Sequence, residues 1–155
     1  MTPTNLLKCV AAEIVEATRE LRLPTEYMRQ PARENFVKVN VFLQSIPPDL
    51  FEKTTYFPCV VIELLSIRDN LKSGSVAEVA LTAGVYAKEE DGWQDLFHLQ
   101  QVIRQRLLTR RVIDKKFRLV DELITSYPDT QPLPFMFGYQ NAQYNLYLPQ
   151  EELPT

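Results

Sequence analysis

A chain of 155 residues, 45% hydrophobic and 24% charged, has ordinary globular composition and a length that fits one domain. The formal charge of −3 is evenly divided: residues 1–77 carry 9 basic and 9 acidic groups and residues 78–155 carry 8 and 11, which speaks against a polycationic arm gripping DNA phosphates. Four Gly without a Gly/Ser-rich stretch leave no flexible linker, and no run approaches the roughly 18 apolar residues of a membrane span.

The opening MTPTNLLKCVAAEIVEATRE has an apolar stripe broken by acids rather than a basic end followed by an apolar core, so a soluble protein without a secretory signal is expected. Thr4 is placed to cap a helix from about Asn5 to Arg22, with Leu7, Val10, Ala11, Ile14 and Leu21 on one stripe and Pro24 as its stop. From Phe36 to Gln44 the chain alternates, Val37, Val39, Val41 and Leu43 against Lys38, Asn40 and Phe42, which predicts a strand with one covered face. Phe57 to Leu65 is short, β-branched and nearly all apolar, as a strand buried on both faces would be. A polar loop, Arg68 to Gly74, separates it from a third strand, Val76 to Ala87.

Asp91 and Gln94 stand in capping-box spacing before a second helix, about 92–110. Strand-like segments follow at Phe117–Leu123, Phe135–Gln140 and Ala142–Leu148. The order α-β-β-β-α-β-β-β lacks βαβ alternation, so the expected class is α+β: a mixed or mainly antiparallel sheet with the N-terminal and second helices packed on it. One domain over 1–150 and a disordered tail at 151–155 complete the reading.

Chemistry-bearing patterns are scarce. His98 is the one histidine and falls on the helix side with Gln94, Gln101 and Gln105, away from Leu96 and Leu107, so a solvent-facing role outweighs a catalytic one. Cys9 and Cys59 have no CxxC or His companions and read as free buried thiols. Glu89-Glu90-Asp91 suits a solvated turn at a helix start better than an ion site. The isolated Gly74, Gly84, Gly92 and Gly138 make neither a P-loop nor a dinucleotide fingerprint. No cofactor, no metal and no catalytic residue is expected; a small hydrolase would have to rest on Glu63, Glu78 or Asp121. The cations from Arg104 to Arg118 are spread around the helix and suit its C-terminal dipole more than a nucleic-acid footprint. Arg104 on the apolar arc and Glu63 inside an apolar strand both look misplaced, which suggests a buried pair that fixes helix against sheet.

FVKVNVFLQSIPP, then FPCVVIELLSIRDN with its polar turn, then VAEVALTAGVYAKEEDGWQDLFHLQQVIRQRLL together resemble the tail-terminator (tail-completion) proteins of long-tailed bacteriophages. The family pattern D-G-W-x-D-L-x-x-L-x-x-x-I-R is met by Asp91, Gly92, Trp93, Asp95, Leu96, Leu99, Ile103 and Arg104, and the aromatic FMFGYQ and QYNLYL are similar to its closing strands. The resemblance implies a non-enzymatic ring, usually of six subunits, that caps the tail tube, halts its polymerisation and presents a face to the head connector. Its implied partners are further copies of itself, the tail tube protein and head–tail connector proteins, with DNA only passing through the lumen and no membrane. Its implied setting is the host cytoplasm during assembly and then the virion tail. Arg68, Asp69, Asn70 and Lys72, with Lys88, Glu89 and Glu90, are the expected contact residues, and the acids of the second group would repel DNA in a lumen. A head–tail connector (neck) protein and a cytoplasmic adaptor for an extended peptide are the alternatives.

Overall fold

The computed structural model describes residues 2–24, 36–46, 56–87 and 92–154. Helix α1 spans Pro3–Ala17. Its cap is Thr2 rather than Thr4: the Thr2 hydroxyl accepts from the Asn5 N–H at 3.1 Å, and Pro3 occupies the first turn, where a missing N–H costs nothing. The helix stops well before Arg22, where the Thr18 hydroxyl turns back to the Ile14 carbonyl at 2.8 Å. Helix α2 spans Trp93–Thr109, close to the expected bounds; the proposed cap Asp91 lies outside the described residues, and Gly92 makes no side-chain cap.

The alternating segment after residue 36 serves two sheets rather than one. Strand β1 (Leu23–Pro24) pairs antiparallel with β2 (Phe36–Val37), while β3 (Asn40–Leu43) pairs parallel with the start of β4 (Cys59–Asn70). Asn40 anchors the switch through its amide, which donates to the Tyr56 carbonyl at 3.0 Å. Strands β5 (Gly74–Tyr86), β6 (Val112–Ile113), β7 (Phe117–Ser126) and β8 (Phe135–Leu146) complete a six-stranded sheet ordered β3-β4-β5-β8-β7-β6. All its pairs but β3–β4 are antiparallel, so the architecture is α+β, as expected.

The two expected C-terminal strands are one. β8 stays in register with β5 from Phe135↔Tyr86 to Leu146↔Ser75, and Asn141, which reads as a break, pairs with Ala80 and donates to Glu78 at 3.3 Å. The expected Arg68–Gly74 loop also shrinks. Strand pairing continues to Asn70↔Gly74, and only Leu71–Ser73 reverse the chain. The Asn70 carboxamide accepts from the N–H groups of Lys72 (2.8 Å) and Ser73 (3.1 Å), and Gly74 closes the turn at φ 95°, a conformation that penalises any side chain.

Both helices lie on one face of the sheet, α1 over β3 and β4, α2 over β5, β8 and β7. Leu6, Val10 and Ile14 of α1 and Leu96, Leu99, Ile103 and Leu107 of α2 meet Val60, Ile62, Val79, Leu81, Val85 and Tyr144 in one core. The opposite face has its own apolar patch at one end, where Phe57 stacks on Phe135 (4.4 Å between ring centres) and meets Phe137 edge-on. Gly84 makes this possible: a Cβ there would stand 2.6 Å from the Phe57 ring and 3.0 Å from that of Phe137. Gly84→Ala is therefore expected to cost about 1–3 kcal/mol, although alanine normally suits a strand better than glycine. A urea midpoint equal to or above that of the natural protein would contradict this packing.

Candidate assembly interface

Four of the expected contact residues converge at the tip of the β4–β5 hairpin. Beyond Ile62, where β3 stops pairing, β4 runs on with no second partner strand among the described residues. Arg68, Asp69, Asn70 and Lys72 are all exposed there. Asp69 accepts a hydrogen bond from Ser75 at 2.5 Å, and the Asn70 amide is spent on the turn, so Arg68 and Lys72 remain as outward charges. Lys88, Glu89 and Glu90 lie outside the described residues.

The hairpin also carries apolar groups that were not singled out from the sequence. Leu65 is 51% exposed, Ile67 39% and Leu71 90%. A bulge between Leu64 and Ser66 interrupts the pairing with β5, so Ile67 stands opposite Ala77 and Ser66 opposite Glu78. A long apolar edge strand is costly to leave in water and templates pairing with another chain.

Glu63 and Arg104 do not pair, and the expected buried bridge is corrected. Glu63 stands opposite Ala80 on the sheet face away from the helices, where it lines a hollow of about 240 Å3 with Gln44, Cys59, Thr82 and Phe137. Arg104 belongs to α2 on the other side, and it is exposed. The ion pair that ties the secondary elements together is a different one. Glu13 of α1 receives Arg106 at 2.6 Å and Arg110 at 3.1 Å, and its side chain is only 12% exposed. Arg106 projects toward α1 and Arg104 toward β7, from opposite flanks of the Leu96–Leu99–Ile103–Leu107 stripe.

Trp93 and Phe97 also flank that stripe instead of entering it. They are 44% and 46% exposed, with ring centres 5.3 Å apart, and Tyr127 of the segment after β7 lies 5.2 Å from Phe97. Below this ledge a second hollow of about 240 Å3 separates α2 from β7 and β8, with Gln100, Arg104, Thr125 and Gln140 in its walls. Gln100 lies across Gly138, where a Cβ would collide with its carboxamide. Gln100 and Gln140 are 2% and 0% exposed, yet both Gln100 amide atoms and the Gln140 oxygen lack a partner among the described residues, which typically costs about 1–3 kcal/mol per group.

The remaining titratable groups are placed as follows. His98 is exposed on α2. Burial pushes the Cys59 thiol up to about 12, far from a reactive thiolate. Cys9 is also raised, first by burial and then by Asp114. Glu78 bonds Asn141 and Ser66, and shares the outer sheet face with Glu63. Among the described residues no group of three or more His, Cys, Asp or Glu could hold a metal, and no helix is long and apolar enough to cross a membrane.

No protein-family model matches the chain. No curated protein sequence matches it either.

Proposed function

We propose that this protein is a structural subunit of a long-tailed phage particle that closes into a ring, caps the tail tube and stops its polymerisation while presenting a face to the head connector. The observation that carries the reading is the β4–β5 hairpin: a strand edge open among the described residues, with exposed Leu65, Ile67 and Leu71 flanked by Arg68 and Lys72. The sequence resemblance in the DGW helix points the same way. A ring requires heterologous contacts, in which one patch meets a different patch on the neighbour, and an edge strand that is apolar and charged at its tip is suited to that task. The reading assigns no catalytic step, and DNA passes the protein without being bound.

Light scattering from dilute to high concentration, followed by electron microscopy, is the direct test. A closed ring of about six subunits that co-sediments with tail tubes is the expected result; co-sedimentation with filled heads instead would reassign the protein to the neck. A strict monomer that ignores tubes but takes up an extended peptide along β4 would replace the ring reading with that of an adaptor. Leu71→Glu should abolish the ring while changing the stability of the monomer by less than about 0.5 kcal/mol, because Leu71 makes almost no contact within its own chain. Rings that persist in Leu71→Glu would remove the hairpin tip from the interface.

A further inference from the structure

The ledge and hollow between α2 and β7 combine features that each need a partner. Three aromatic rings, Trp93, Phe97 and Tyr127, stand in a row and remain nearly half exposed. Arg104 joins no ion pair among the described residues. Gln100 and Gln140 in the walls carry buried amide atoms without a hydrogen bond. Exposed Trp, Tyr and Arg around a polar-lined hollow make up the composition of an interface hot spot. The fitting ligand is a short extended segment with carboxylates for Arg104, an aliphatic side chain for the ledge and no cation of its own.

One segment of the chain has that chemistry. Residues 147–154, Tyr-Leu-Pro-Gln-Glu-Glu-Leu-Pro, leave β8 without regular secondary structure. Leu153 is 83% exposed and Tyr147 59%, and Glu151 and Glu152 are exposed beside them. Pro149 and Pro154 restrict the backbone toward extended forms, which lowers the entropy lost on docking. In its own chain the segment stands clear of the hollow: Glu151, Glu152 and Leu153 are all exposed, and none of them lines it.

We propose that the Glu151-Glu152-Leu153 segment of one copy docks in the α2–β7 hollow of a second copy, with its carboxylates on Arg104 and Leu153 against Trp93, Phe97 and Tyr127. The contact joins two different patches and so builds a head-to-tail assembly. It rests on the ring reading for its role, since it supplies a second heterologous contact beside the hairpin.

Trp93 is the chain's one tryptophan, so its emission reports the ledge directly. The probe is the synthetic peptide YLPQEELP, titrated into the full chain at dilution. A saturable shift of Trp93 emission is expected, weakened at least tenfold by Arg104→Glu. In that variant, a peptide carrying Lys in place of Glu151 and Glu152 should bind better than the natural peptide. Both sites are exposed, so circular dichroism should show both proteins folded alike. No shift, or a shift indifferent to Arg104→Glu, overturns the docking. So does a Trp93 emission in the unmodified protein that is independent of its concentration and changes on Glu151→Lys with Glu152→Lys, because the segment would then occupy its own hollow. Failure of the ring reading is distinguishable. Peptide binding in a protein that forms no ring and ignores tubes sinks that reading and keeps the contact, whereas rings without peptide binding do the reverse.

Discussion

Glu13→Ala is expected to lower the folding free energy by about 2–4 kcal/mol. The estimate lies between two limits: removing one partner of a buried ion pair costs about 3–5 kcal/mol, whereas an exposed pair contributes about 0–1 kcal/mol. Glu13 is 12% exposed and Arg106 25%, near the buried limit, while Arg110 at 54% is nearer the other. Without the carboxylate, Arg106 is left half-buried between the helices with no counter-charge. Replacing the pair should therefore hurt less than breaking it. Glu13→Leu combined with Arg106→Leu is expected to return to within about 1 kcal/mol of the natural protein, since two aliphatic groups restore packing without a desolvated charge. Denaturant midpoints of Glu13→Leu, Arg106→Leu and their combination form a cycle that measures the coupling. A Glu13→Ala protein as stable as its parent would sink the claim that this bridge holds α1 to α2. Glu63→Gln is the control: among the described residues Glu63 pairs with no cation, and its midpoint should stay where it is.

The contrast between the pair sought and the pair found shows what the sequence could convey. Periodicity located both helices and the buried strand, because apolar spacing follows from geometry within a single element. It correctly set His98 in solvent, since Leu96, Leu99, Ile103 and Leu107 fix the inward direction of α2. What failed was the pairing of two particular side chains across elements. Glu63 and Arg104 each look misplaced alone, but which sheet face Glu63 occupies depends on the pairing with Ala80, and no local pattern encodes that. Trp93 packs on Phe97 and Phe97 on Tyr127, a contact between α2 and the segment after β7 that no pattern within the helix encodes.

Strand extent was misjudged for a related reason. Arg68-Asp69-Asn70 is polar enough to read as loop, yet an exposed edge has no reason to be apolar, and cross-strand hydrogen bonds carry β4 to Asn70 regardless of side chain. The turn signal in that stretch belonged to Asn70 and Gly74 alone. Conversely Asn141 looks like a break in β8, but Glu78 receives its amide and the strand continues, while Gln100 fills the space over Gly138. The hairpin tip was legible as a candidate contact from its charges. Its stronger argument is apolar: Leu65 closes a run that reads as buried until the partner strand is known to end at Leu43, and Ile67 and Leu71 are exposed beyond it.

The alkaline limb of the stability curve should carry the signature of Cys59. Its thiol sits between the sheet and the Gln44–Phe137 hollow at 1% exposure, and burial, partly offset by a hydrogen bond with the Gly84 backbone, raises it from 9.0 to about 12. The neutral thiol is thus favoured in the folded state. Below pH 9 both folded and unfolded chains hold the proton, and Cys59 adds no pH dependence. Between pH 9 and about 12 the unfolded chain releases its proton while the folded one keeps it, so stability falls as pH rises, by about 1.4 kcal/mol per pH unit. Above that range both are ionised and the loss levels off near 4 kcal/mol. Tyr144 and Tyr127, also pushed up by burial, act with the same sign above pH 10 but do so in any Cys59 variant. The difference between the natural protein and Cys59→Ala isolates the thiol. At pH 8 the natural protein should be the more stable by a fixed packing term, and from pH 9 upward the two should converge at about 1.4 kcal/mol per pH unit. Urea unfolding of both proteins at half-unit steps from pH 8 to 11 measures this directly, and a constant offset across the range would mean that Cys59 ionises as freely in the fold as in the open chain.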